Sequence, residues 1–184
     1  MATGVPRGYS TAPMKQKITA GTIQVFTFKE GLLSSVAHDL RLTLERFELE
    51  VDTEAGTVDA RFWPSSLRVD GAMKGGTLDP SGVSERDKRE IHDHLTDDIL
   101  HTDRQPEARF RGKLTVDAPL GRVDGTLTLR GRDAPLNVTL ERVGGRYRGE
   151  AELLPTRWGI APFKALMGAI RLQDRVRVTF DLPA

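Results

Sequence analysis

The chain has no cysteine among its 184 residues. That excludes disulfides, thiolate metal sites and thiol nucleophiles. An excess of one charge is missing too: 27 Lys and Arg stand against 26 Asp and Glu, for a net charge of +1. So even a balance gives no electrostatic case for nucleic acid. No apolar run approaches the roughly 18 residues that a membrane-spanning helix needs. The opening, Met1 to Lys17, has neither an apolar stretch nor periodicity. Residues 1–17 are therefore expected to form a flexible arm, and the lack of a signal-like segment gives a cytoplasmic expectation. Glycine-rich phosphate loops and a nucleophile elbow are also absent.

What the chain does have is alternation. Val123, Gly125, Leu127 and Leu129 alternate with charged and Thr residues, and Leu136, Val138 and Leu140 do the same after Gly131-Arg132-Asp133-Ala134-Pro135. Period two over this length means a pleated ribbon with one apolar and one polar face. Thr19 to Lys29 reads as a strand, with Ile23, Val25 and Thr27 opposed to Phe26 and Phe28. Val36 to Asp52 reads as one long strand whose parity switches near Glu45-Arg46, as a β-bulge would make it. Val58, Ala60 and Phe62 share a face, as do Ala108, Phe110, Leu114 and Val116, then Tyr147, Gly149, Ala151 and Leu153, and finally Val176, Val178, Phe180 and Leu182. A short strand is expected at Ser66 to Val69, and a loop at 71–82.

One segment breaks the pattern. Ser84 is a helix N-cap with Glu85 and Asp87 in the first turn, and Ile91, Leu95 and Ile99 form a thin apolar stripe to about Thr102. Such a helix lies on a surface or across an opening. No linker divides the chain, so 18–184 is expected to be one domain. Closing about eight antiparallel strands into a barrel removes their edges. A two-sheet sandwich is the alternative.

Several stretches together resemble the YceI-like family. They are AHDLRLTLERFELEV at 37–51, RDKREIHDHLTDDIL followed by HTDRQPEARF, GTLTLRGRDAPLNVTL, and LLPTRWGI. They fall in order across residues 19–182. The resemblance implies an all-β, single antiparallel lipocalin-like barrel with one inserted helix near 84–102. It also implies a polyisoprenoid lipid held inside.

The residues bear on that ligand directly. Extrapolated at about 24 cal/mol per Å³, a dry lumen of roughly 500 Å³ would cost on the order of 12 kcal/mol, so the lumen is packed or occupied. The candidate wall is Leu40, Leu42, Leu44, Phe62, Phe110, Leu127 and Leu129, with small Ala60, Gly125, Gly149 and Ala151 leaving room. Trp158, Phe163 and Leu166 through Met167 are expected to cover one mouth, where Arg157 or Lys164 would meet a polar or anionic headgroup. His38 is a candidate for a ligand's polar end. The favoured function is a non-enzymatic carrier of an isoprenoid or quinone-like lipid, without cofactor. The alternative is a side-chain-filled barrel that presents its helix to a protein partner. A homodimer stays open, since no outer apolar stripe assigns one.

Other constellations carry less. His94, Asp98 and His101 share a helix flank with metal-like spacing, yet no fourth ligand is evident. His38 and Asp39 are adjacent on a strand and point to opposite faces, so neither orients the other for a Ser–His–Asp triad. No residue is assigned a catalytic role.

Overall fold

The computed structural model describes residues 15–30, 39–165 and 170–184. β1 (Lys15–Ile18) leads into β2 (Thr22–Glu30), and β3 (Asp39–Leu44) leads into β4 (Phe47–Asp52). β1 pairs with β4 and β2 with β3, in one shared register: Lys15 faces Asp52 and, farther along, Thr27 faces Leu40. The four segments are thus one hairpin of two long staves, each interrupted once. β5 (Thr57–Phe62) follows, then a 3-10 turn and the hairpin of β6 (Leu67–Lys74) and β7 (Thr77–Asp79). The helix α1 (Glu85–Asp93) comes next. β8 (Ala108–Asp117), β9 (Leu120–Leu129), β10 (Arg132–Val143) and β11 (Arg146–Leu153) form a meander. A 3-10 turn at Pro155–Trp158, the two-residue β12 (Lys164–Ala165) and the long β13 (Ile170–Pro183) complete the chain.

The pairing runs β4-β5-β8-β9-β10-β11-β13-β2, all antiparallel, and β2 returns to the β3–β4 stave. That closes the circuit into an antiparallel barrel. The sheet contains thirteen segments against the expected eight or so. Two staves are split, and β6, β7 and β12 lie off the circuit.

The break at Glu45-Arg46 does more than a bulge. It lets the two halves of one stave serve different neighbours: β4 takes β5, whereas β3 takes β6. β6 pairs with β3 and β7 and does not rejoin β8. The helix crosses that interval. Ser84 Oγ accepts from the Asp87 backbone N–H, as expected, and α1 packs on β6. The α-helix stops at Asp93, short of the expected 102. His94–Ile99 winds on as a π-helical segment, in which the buried Thr96 donates its hydroxyl to the His92 carbonyl at 3.0 Å.

Three other expectations are corrected. Lys15, Gln16 and Lys17, assigned to the arm, lie in β1 because their backbone pairs with β4; residues 1–14 lie outside the described set. The loop expected at 71–82 holds the end of β6 and all of β7, and the short strand expected at 66–69 is the start of that hairpin. The central hairpin turns on Arg130-Gly131 alone, with φ of +51° and +67°. Two positive φ angles match the twist of the flanking strands, so Arg132 to Pro135 are free to pair with Thr126 to Leu129.

The inward parity is the one read from the sequence. Phe26 and Phe28 face out, under the guanidinium groups of Arg177 at 5.0 Å and Arg175 at 4.3 Å. Gly125 and Gly149 face in, but the room they give is taken. An added Cβ on Gly125 would stand 2.6 Å from the Phe110 ring, and one on Gly149 equally close to the Phe180 ring. Each ring is seated on a glycine of a neighbouring strand.

Candidate functional site

The barrel encloses a cavity of about 890 Å³. It follows from the sequence pattern in two steps. Alternation places an aliphatic or aromatic side chain inward at nearly every second residue of every stave. Eight staves then give an interior that side chains can fill or that can hold one small ligand, and here the side chains leave it unfilled. The wall includes Leu40, Leu42, Leu44, Phe62, Phe110, Leu127 and Leu129, all expected there, and Phe163 at one end. Ile91 and Leu95 complete the wall where β6 diverges from β8.

Wall residues divide by exposure. Leu42, Leu44, Phe110 and Leu127 are buried among neighbours, and Leu127 is 5% exposed. Leu40, Phe62, Leu129, Val138 and Val178 are half-buried although they point inward. The second group faces the open lumen. Alternation could not separate the two, because both occupy the same face.

The cover over one mouth is only partly as expected. Pro155, Ile160, Ala161, Pro162 and Phe163 line the cavity. Trp158 does not. It is 1% exposed, and its Nε1–H donates to the Leu127 carbonyl at 2.7 Å. It pins the 3-10 turn to β9 and so braces the wall without lining the cavity. Arg157 and Lys164 are exposed and lie outside the lining, because their side chains leave the outer side of the segment that Ile160 and Phe163 enter. Residues 31–38 and 166–169 are outside the described set, so His38, Leu166 and Met167 are too.

Polar groups are few and sit in known places. Thr27 points into the lumen, and its hydroxyl is the one buried side-chain polar atom without a partner among the described residues. Near the same end, His94 reaches the lining. Its Nδ1 lies 2.7 Å from Asp98 Oδ2, and its ring meets the Phe163 ring edge-on at 5.2 Å. Gln173 also lines this end and donates to the Lys29 carbonyl at 3.0 Å. At the other end the lining ends on Val116, Pro119, Leu120, Arg142 and Tyr147. Thr27 was visible in the sequence as an inward Thr in an apolar series; Gln173 was not, because β13 is irregular between Leu172 and Val176.

The flank of His94, Asp98 and His101 does not converge on a metal geometry. His94 Nδ1 is engaged with Asp98, and His101 Nδ1 meets the Asp97 carbonyl at 2.8 Å. No group of three or more His, Asp or Glu side chains able to hold a metal occurs among the described residues. No helix among them is long and apolar enough to cross a membrane. Chemically the arrangement can receive a long apolar chain, with one buried hydroxyl that has no protein partner near one end.

Comparison with known proteins agrees with the geometry. A family model described as a YceI-like domain matches residues 10–184. BcnA of Burkholderia cenocepacia has a similar fold, with a TM-score of 0.58 at 15% identity over 89% of this chain and 96% of its own. So does a polyisoprenoid-binding domain from Saccharophagus degradans implicated in plant cell wall breakdown, with a TM-score of 0.56 at 12% identity over 92% of this chain and 96% of that one. A mutant of the Campylobacter jejuni YceI protein gives 0.54 at 15% identity, covering 78% and 82%. At these identities the structures show a shared fold. No curated protein matches the chain in sequence.

Proposed function

The chain belongs to the YceI-like family, and from that premise we propose that it is a carrier that holds a long apolar lipid, an isoprenoid or a quinone, in the lumen of its barrel, with no catalytic step. The observation that supports this is the cavity of about 890 Å³ with its nearly unbroken apolar wall. Ligand sites commonly fall between about 300 and 1,000 Å³. Left dry, a void of this size would cost on the order of 20 kcal/mol at about 24 cal/mol per Å³, more than a domain's whole stability of about 5–15 kcal/mol. Water fills such a space poorly, since each molecule needs two to four polar partners. A hydrocarbon chain needs none, and gains about 0.8 kcal/mol per buried methylene.

Thr27 favours a ligand with a polar head. A buried hydroxyl without a partner carries a desolvation cost of about 1–3 kcal/mol, and a quinone carbonyl that accepts a hydrogen bond from it would remove that cost. The head then lies at the Thr27 end and the tail runs toward Val116 and Leu120. Native mass spectrometry of the purified protein, followed by organic extraction, tests the carrier reading. A discrete added mass that extracts as an isoprenoid or quinone supports it. A clean apo mass, with no uptake of added decylubiquinone or farnesol, overturns it in favour of an interaction module.

A further inference from the structure

The large hydrophobic side chains that are strongly exposed among the described residues number three: Val116 at 64%, Leu120 at 61% and Val143 at 47%. They are not scattered. All three lie at one corner of the barrel, where β8 turns into β9 and β10 into β11. Val116 pairs with Gly121 across that turn, and Leu120 pairs with Glu141, two residues from Val143. The Arg142 N–H donates to the Pro119 carbonyl at 2.9 Å, tying the two turns together. β8 pairs with β5 only as far as Lys113 opposite Thr57, so the corner stands beyond its neighbour.

The corner is apolar on both faces of the sheet. Val116 has the inward parity of Leu114 and Phe110, Val143 has the outward parity of Glu141, and Leu120, beside the turn, reaches the rim of the lumen. A protein partner covering one face would leave the other wet. A fluid apolar medium covers both. Behind the corner, the Arg142 guanidinium lies 5.7 Å from the Tyr147 ring. Arginine with tyrosine suits the headgroup level of a bilayer, where each keeps an apolar body and a polar tip. The apolar surface continues without a break into the lumen, since Val116, Pro119 and Leu120 are also part of its lining.

From these observations we propose that this corner inserts shallowly into the surface of a lipid bilayer, bringing the adjoining mouth of the lumen against the membrane. Insertion rests on the corner's own side chains, and the carrier function proposed above supplies only its purpose. Nearby charges nearly cancel: Lys113, Arg122, Arg142, Arg146 and Arg148 stand against Asp117, Asp124, Glu141 and Asp181, with Arg122 paired to Asp124 and both Arg146 and Arg148 paired to Asp181. Insertion is therefore driven mainly by apolar burial, needs no anionic lipid, and depends only weakly on salt.

The absence of cysteine makes the test clean. Leu120→Cys, Val143→Cys and, as a remote control on β7, Thr77→Cys are each labelled with nitrobenzoxadiazole and mixed with phosphatidylcholine vesicles. Emission should rise and shift to the blue at 120 and 143 but not at 77, nearly equally with or without phosphatidylglycerol and at low or high salt. Val143→Asp should lower vesicle partition by about tenfold while lipid uptake from detergent stays unchanged. Three results overturn the proposal: no change with vesicles, a blue shift that grows with protein concentration alone (a second copy covers the corner), or a blue shift already present in dilute, vesicle-free protein (the chain covers it). Lipid found on extraction together with any of these leaves the carrier reading standing, so the two fail separately.

Discussion

Val138→Trp separates an open lumen from a packed one. Val138 is half-buried, points inward from the middle of β10, and sits opposite Val123 and Ala151 on its neighbours. The cavity it faces measures about 890 Å³, so an indole has space to enter without moving a strand. The substitution adds roughly seven non-hydrogen atoms, which displace a similar length of ligand chain; at about 0.8 kcal/mol per methylene the ceiling is about 6 kcal/mol of lost binding. A flexible chain shifts to recover part of that, so the expected loss is about 10- to 100-fold in affinity. Stability should change by less than about 1 kcal/mol, because nothing is overpacked. Leu127→Trp is the contrast. Leu127 is buried beneath the Trp158 turn, and enlarging it should cost about 1–3 kcal/mol. Urea denaturation gives the stabilities, and titration with a fluorescent isoprenoid gives the affinities. If Val138→Trp destabilises the fold as much as Leu127→Trp and leaves uptake unchanged, the lumen is packed at its centre and the carrier reasoning fails.

Thr27→Val should lower affinity for a quinone by about three- to tenfold and leave a headless polyisoprene unaffected; an equal effect on both in competition binding would remove Thr27 from the head site. Trp158→Phe should cost about 1–2 kcal/mol in urea denaturation, since it deletes the hydrogen bond to the Leu127 carbonyl and leaves that acceptor buried; an unchanged midpoint would show that the anchor is packing alone. Asp79 is held at a pKa of about 2, below its ordinary 3.8, first by the hydrogen bond from Lys74 and then by that from Ser81. Its folded value lies below its unfolded value, so the stabilisation is complete above about pH 4 and disappears as pH falls through about 2. Urea midpoints of the protein and of Asp79→Asn should therefore differ at neutral pH and converge toward pH 2, and a gap that persists there would contradict the pairing.

The architecture was readable because alternation is a local signal. Each strand of the β8 to β11 meander announced its inward face, and the number of such faces favoured a barrel over a two-sheet sandwich. Splitting of the staves was not readable. At Glu45-Arg46 the parity change is the same for a bulge and for a handover between neighbours, and only the partners of β3 and β4 distinguish them. The π-helical segment was hidden as well, because Ile91, Leu95 and Ile99 satisfy an α-helical stripe equally well. At the site, side chains on the strands could be placed and those on the irregular 155–163 segment could not. Period two fixes direction on a strand, whereas on that segment Trp158 turned into the wall and Arg157 away from the mouth for reasons of local backbone geometry.

The seating of Phe110 on Gly125 and Phe180 on Gly149 bears on how such a barrel can diverge. At most wall positions one aliphatic residue can replace another, and the lumen changes its shape or capacity while the staves stay in place. At these two pairs neither partner can drift alone, since a methyl on the glycine strikes the ring and a smaller ring partner uncovers backbone. Nor would a smaller ring release the glycines, since an added Cβ would also strike the Arg111 carbonyl at Gly125 and the Thr139 carbonyl at Gly149. Ligand preference is thus free to wander through the aliphatic wall, while two ring-and-glycine clasps hold the frame in which it wanders.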